Sequence, residues 1–159
     1  MKTKLVWVGA HPAHYMSEFH VRLEAEFDGL YFLYRHQSQR GVEFSHEHII
    51  LPKRSTVLSL EHEYLNVWRK LNFLDSQSIL IAGNYPRLNL VAALWAHQKK
   101  RSLYYLSDSN VLDLKNINRS FINKVILRIL FSWVTKFLVI GKRNQDFYID
   151  ICGLSSIAN

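Results

Sequence analysis

Three short apolar runs that each end in glycine constrain this chain more than any other feature: Lys4-Leu-Val-Trp-Val-Gly9, Ser78-Ile-Leu-Ile-Ala-Gly83 and Lys136-Phe-Leu-Val-Ile-Gly141. Each is too short for a buried helix, and each is followed by polar residues and then by a stretch with helical spacing. Runs of this length and composition, bounded by turn residues, predict buried strands. A chain that repeats strand, loop and helix in this way is expected to fold as α/β, with parallel strands joined by right-handed crossovers and helices on both faces of the sheet.

The intervening segments fit that plan. A mixed stretch from Tyr15 to Phe27 predicts the first helix, and Leu30-Tyr-Phe-Leu-Tyr34 predicts a second strand buried on both faces. Residues 36–60 are rich in Gln, Ser, His and Arg, which suggests a mobile loop followed by a short strand at Ile49-Ile-Leu51. From Leu60 to Leu74 apolar residues recur at three- and four-residue intervals, so a helix is expected there. Pro86 suits a first helical turn, where its missing N–H would be unpaired anyway, and opens a helix to about Lys99. The stretch from Leu88 to Trp95 is apolar or small except for Asn89, as in a helix packed into the body of the fold. A strand at Ser102–Leu106, a helix over Asn118–Val134 and a short helix from Asn144 to Cys152 before Gly153 complete the alternation.

At 159 residues the chain has the length of one domain, residues 1–159, with one core. Its 48% hydrophobic and 21% charged residues exclude the composition of a disordered chain. Cys152 is the only cysteine, which excludes an internal disulfide; together with a start that lacks a signal-peptide pattern, this predicts a cytoplasmic setting. Arg128 and Lys136 interrupt the apolar stretch from Val125 to Gly141, which therefore falls short of the ~18 apolar residues expected of a bilayer span. The formal charge of +7 predicts an anionic partner of some kind.

In an open parallel sheet ligands bind beyond the carboxyl ends of the strands, so the residues after each strand are the candidates. They are His11, His14 and Tyr15 after the first strand, Asn84, Tyr85 and Arg87 after the fourth, and Ser107, Asp108, Ser109 and Asn110 after the fifth. Gly141, Lys142, Arg143 and Asn144 follow the last. Their amide, hydroxyl and imidazole groups suit sugar hydroxyls, while cations and helix N-termini suit phosphate. Loops are polar whatever their function, so the same residues are also compatible with plain solvent exposure. Neither G-x-G-x-x-G nor G-x-x-x-x-G-K-[ST] occurs, which removes the main support for a dehydrogenase or a P-loop NTPase, and no bound cofactor is expected. The G-x-S-x-G elbow of a serine hydrolase is missing too. His11 and His14, with His46 and His48 around Glu47, could be imagined as a zinc site, but the acidic or thiolate partners are absent or scattered, and no metal is expected.

Three segments, Ile79 to Pro86, Ser102 to Ser109 and Phe137 to Tyr148 running on to Cys152-Gly153, together resemble the N-terminal domains of GT-B glycosyltransferases of the retaining, nucleotide-sugar-dependent class. They fall in order within residues 79–153, a span of about half the chain. The resemblance implies a Rossmann-like, three-layer domain with a mostly parallel sheet that binds a sugar or lipid-linked acceptor. It also implies a nucleotide-sugar donor held by a second domain that is missing here or supplied separately, with cell-envelope polysaccharide synthesis as the setting. The position that lies near the reacting carbon in such enzymes matches Asp108 or its neighbour Ser107. A carboxylate there could orient or deprotonate an acceptor hydroxyl, or simply cap the segment that follows. The first loop departs from the pattern, since relatives often pair glycines where Ala10-His11-Pro12 stand; donor contact from this half is not implied.

On a helical wheel over Asn118–Val134, Ile122, Val125, Ile126, Ile129 and Trp133 share the face expected to meet the core. Leu127 and Phe131 fall on the opposite side, beside Lys124 and Arg128, a pattern that suits either a protein partner or peripheral docking on the anionic inner face of a membrane. The leading expectation is an acceptor-binding glycosyltransferase domain, inactive alone, and the alternative is a non-catalytic basic module of the same fold that binds membrane or protein. Nucleic acid is not an expected partner, because the basic residues are dispersed and many aromatics sit in strands.

Overall fold

The computed structural model describes residues 4–9, 14–35, 51–58, 62–83, 86–107 and 121–152. They form a six-stranded, wholly parallel sheet in the order β3-β2-β1-β4-β5-β6. The strands are β1 (Leu5–Gly9), β2 (Leu30–Arg35), β3 (Ser55–Leu58), β4 (Ser78–Ala82), β5 (Ser102–Leu106) and β6 (Lys136–Leu138). The helices are α1 (His14–Glu26), α2 (Glu63–Leu74), α3 (Pro86–Gln98), α4 (Phe121–Ser132) and α5 (Lys142–Cys152). This is the Rossmann-like α/β architecture expected from the alternating pattern.

Successive side chains of a strand point to opposite faces, and each face of this sheet has its own core. Val6, Val8, Leu33, Ile79, Ile81, Leu103 and Tyr105 point one way, where α2, α3, α4 and α5 cover them with Val67, Leu71, Trp95, Leu130 and Phe147 among others. Trp7, Phe32, Tyr34 and Leu80 point the other way, toward α1, whose Leu23 packs on them. Because the central strands are covered on both sides they read as unbroken apolar runs rather than alternating ones.

Small side chains settle how the larger layer packs. Ala92, Ala93 and Ala96 of α3 are fully buried, and Trp95 Nε1 donates to Asn72 Oδ1 of α2 at 2.9 Å, so the indole is buried without an orphaned N–H. On the opposite face, buried Glu24 of α1 accepts the backbone N–H groups of Lys53 and Arg54, and its carboxylate also meets Arg54 Nε at 3.3 Å. That contact fixes the approach to β3 by charge-assisted hydrogen bonds.

Two expectations are corrected. The third strand is Ser55–Leu58, beside β2, whereas Leu51 lies outside any strand and Ile49 and Ile50 lie outside the described residues, as does most of the loop before them. The β-branched Thr56 and Val57 suit a pleated surface, and the Tyr31 hydroxyl bonds Thr56 Oγ1 across the pair at 2.6 Å. The second correction concerns α4: Trp133, just past its end, packs on the core as expected and Ile126 is half-buried, but the remaining inner and outer residues are interchanged. Leu127 and Phe131 are buried, at 6% and 5% exposure, while Ile122, Val125 and Ile129 stand at 68%, 38% and 44%. The helical wheel fixes which residues share a face but not which face turns inward. Here Leu127, Leu130 and Phe131 fit the pocket left by α3, α5 and β5, with Phe131 edge-on to Tyr105 and Tyr148.

Candidate functional site

In this topology β1 and β4 are neighbours whose connections depart in opposite directions, β1 through α1 to β2 and β4 through α3 to β5. The chain therefore parts above Gly9 and Ala82, which are paired in register, and leaves a crevice at the carboxyl edge of the sheet. The N-terminal ends of the helices that follow the strands face the same edge, because each helix runs back antiparallel to the strands. Their unpaired N–H groups give that edge a partial positive charge.

Two matching clamps set the rim's shape. At the end of β4, Gly83 adopts φ 87°, a conformation glycine takes without strain. Its N–H donates to the Leu106 carbonyl at 2.9 Å, while its own carbonyl accepts Asn89 Nδ2 at 2.8 Å and the Tyr105 hydroxyl at 3.4 Å. At the end of β5 the Ser107 carbonyl accepts Asn144 Nδ2 at 2.9 Å and the Tyr148 hydroxyl at 3.4 Å. Asn144 Oδ1 in turn accepts the Ile140 N–H at 3.3 Å. Each buried strand exit is thus held by one asparagine and one tyrosine, which satisfies polar groups that would otherwise be costly to bury.

The expected site residues divide accordingly. Ser107 lies at the end of β5 and is buried. Arg87, in the first turn of α3, and Lys142 and Arg143, in the first turn of α5, are exposed beside helix N-termini; Lys142 pairs with Asp146 at 3.2 Å. Gly141 precedes α5 and has open space where a side chain would stand. Asn144 is buried and engaged in the clamp, so its amide supports the rim from beneath. His14 and Tyr15 open α1 at the same edge, although only their backbone is described. His11, Asn84, Tyr85, Asp108, Ser109 and Asn110 lie outside the described residues, as do the side chain of Lys124 and the histidines at 46 and 48.

Sequence reasoning missed four residues here. Asn89, Tyr105 and Tyr148 were hidden as clamp residues, although a lone polar residue in the apolar middle of α3 was a visible signal. It also missed His20, which is buried in an aromatic box of Trp7, Phe32 and Tyr34 with ring centroids 4.8 to 5.8 Å away. His20 Nδ1 and the Tyr34 hydroxyl share a hydrogen bond of 2.7 Å. Burial lowers the His20 pKa to about 4, so the ring is neutral near pH 7. Burial, together with the carboxylate of Glu24, pushes Tyr34 above the usual tyrosine range.

No protein-family profile and no curated protein sequence matches this chain. Its fold does match solved structures. HepE from Anabaena, in complex with UDP, superposes with a TM-score of 0.64 at 11% identity, over 98% of this chain and 43% of that one. MnaA from S. aureus, solved with UDP, gives 0.60 at 13% identity over 99% and 42%. The UDP-GlcNAc 2-epimerase of Neisseria meningitidis bound to UDP-GlcNAc gives 0.55 at 12% over 94% and 43%. Identities this low establish the fold alone, and the chain spans less than half the length of these relatives. A GT-B-like N-terminal domain fits the overlap.

Proposed function

We propose that the chain is the sugar-holding half of a GT-B-type enzyme that uses a nucleotide sugar, acting as a glycosyltransferase acceptor domain in cell-envelope polysaccharide synthesis. The observation that carries this is the crevice above β1 and β4, in a fold shared with proteins solved with UDP or UDP-GlcNAc. Fold by itself does not fix chemistry, so the assignment rests on what the rim can do.

Arg87, in the first turn of α3, stands at the crevice edge, while in sequence His11, His14 and Tyr15 follow β1 and Asn84 and Tyr85 follow β4. Ser107 lies at the end of β5, at the same edge, and Ser109 and Asn110 follow it in sequence. These groups donate and accept hydrogen bonds in the pattern that sugar hydroxyls require. Asp108 follows the clamped end of β5, and its carboxylate orients the acceptor hydroxyl or takes its proton. The hydroxyl oxygen then bonds to the anomeric carbon of the donor while the bond from that carbon to the nucleoside diphosphate breaks, and the diphosphate leaves with the electron pair. Gly141, Lys142 and Arg143 flank the N-terminus of α5, where a leaving phosphate would find positive charge. The bulk of the nucleotide is held by a second Rossmann-like half, in the same or a separate polypeptide, without which turnover is negligible.

The test is a binding and turnover comparison. Asn84→Ala combined with Tyr85→Ala should weaken the affinity for a hexosamine acceptor at least about tenfold, the cost of removing two hydrogen-bonding contacts. Asp108→Asn should leave that affinity intact but abolish transfer when the nucleotide-binding half is supplied. An unchanged sugar affinity in the first variant, or undiminished transfer in the second, refutes the assignment.

A further inference from the structure

The net charge of this protein arises from one stretch of its sequence. Residues 114–145 contain seven Lys and Arg and no Asp or Glu, whereas the rest of the chain is balanced at 13 of each sign. Five of these seven, Lys124, Arg128, Lys136, Lys142 and Arg143, belong to α4, β6 and the first turn of α5, at one edge of the sheet and on the helix above it.

The same segment exposes aliphatic side chains. Ile122, Val125 and Ile129 share the outer face of α4, and Leu138, Val139 and Ile140 are exposed along and just after the edge strand β6. Because α4 runs antiparallel to β6, its first turn, with Ile122, and the end of β6, with Ile140, both lie at the carboxyl edge of the sheet. Exposed apolar residues occur elsewhere, Phe73 of α2 at 80% among them, in the part of the sequence where acidic and basic residues are equal in number.

We infer that the outer face of α4, with the end of β6, docks on an anionic lipid surface. Exposed branched aliphatics beside an excess of basic over acidic residues match the two demands of an interfacial membrane site: apolar area for the acyl boundary, and attraction to acidic headgroups. The aromatic residues of this segment whose side chains are described are engaged inward. Trp133 stacks on His97 with centroids 5.0 Å apart, and Phe131 and Phe137 pack on Tyr105 and Tyr148. A nucleic-acid surface would instead need outward aromatic platforms for its bases. No helix among the described residues is long and apolar enough to cross a membrane, so the contact is peripheral. Docking here would set the crevice edge of the sheet beside the lipid surface, and the inference stands whether or not the crevice binds sugar.

The experiment is co-sedimentation of the full chain with vesicles of phosphatidylcholine alone and of phosphatidylcholine with about one-third phosphatidylglycerol, at low and high salt. The chain should partition onto the anionic vesicles at least about tenfold more strongly than onto neutral ones, and high salt should weaken that binding. Ile122→Gln with Ile129→Gln should reduce anionic-vesicle binding about tenfold or more while circular dichroism stays unchanged, and Phe73→Gln should have no effect. Equal partition onto the two vesicle types overturns the inference. So does anionic-vesicle binding that the Ile122 and Ile129 substitutions leave intact, and so does a change in those variants from dimer to monomer without vesicle binding, which would assign the face to a second copy of the chain.

Discussion

Asn144 donates from Nδ2 to the Ser107 carbonyl at 2.9 Å across 37 residues of sequence, and its other amide atom accepts the Ile140 N–H. One strand away, Asn89 does the same for the carbonyl of Gly83. In both cases a helix that starts at the carboxyl edge returns one side chain to the point where a strand ends. The position of Ser107, at the end of β5, is thereby fixed by the body of the fold.

Asn144→Ala removes a buried donor and leaves the Ser107 carbonyl and the Ile140 N–H each short of a partner. The expected loss of stability is about 1 to 3 kcal/mol, read from the midpoint of urea unfolding. Asn144→Asp should lose a comparable amount, because a carboxylate cannot donate to a carbonyl.

Gly83→Ala places a side chain at φ 87°, where only glycine is unstrained. A loss of roughly 1 to 2 kcal/mol is expected in the same unfolding measurement, and a neutral outcome would show that the turn relaxes.

The interchange of faces on α4 has a direct thermodynamic signature. Leu130→Ala, at a fully buried position, should cost about 2 to 5 kcal/mol through lost transfer energy and the cavity left behind. Ile122→Ala should stay within about 0.5 kcal/mol of the parent. The opposite ranking would restore the orientation expected from the sequence.

That helix also shows where the sequence stops being legible. The alternation of apolar runs and helical stretches determined the parallel sheet and placed most elements within a few residues, because burial on both faces writes itself directly into composition. Helix α4 is apolar nearly all round, so its period could not say which side meets Tyr105 and Phe147. The third strand was missed because Ser55-Thr-Val-Leu58 is short and polar at its start, while Ile49-Ile-Leu51 offered the greasier run. At the rim, the sequence could name residues that follow strands. It could not show that Asn144 turns inward, since that depends on Ser107 arriving beside it from a distant part of the chain.

His20 gives the fold a pH dependence whose sign is fixed by its burial. The folded pKa is depressed to about 4 from an ordinary 6.5, so between those values the unfolded chain binds a proton that the folded chain does not. The associated stability is fully present above pH 6.5 and declines as pH falls toward 4, by roughly 3 kcal/mol in all. His20→Phe should remove that part of the slope. The difference in unfolding free energy between parent and variant should therefore shift in favour of the variant as pH drops from 7 to 4.5, and a constant difference would contradict the burial of a neutral ring beside Tyr34.

The central claim is that the carboxyl edge of the sheet holds a sugar acceptor, and amide chemical shifts of the isotopically labelled chain on titration with N-acetylglucosamine test it most directly. The account predicts shifts concentrated at Gly9, Gly83, Ser107 and Gly141, with Gly29, Ser76 and Arg101 at the opposite edge unmoved. Shifts confined to that opposite edge, or none at saturating ligand, would contradict it.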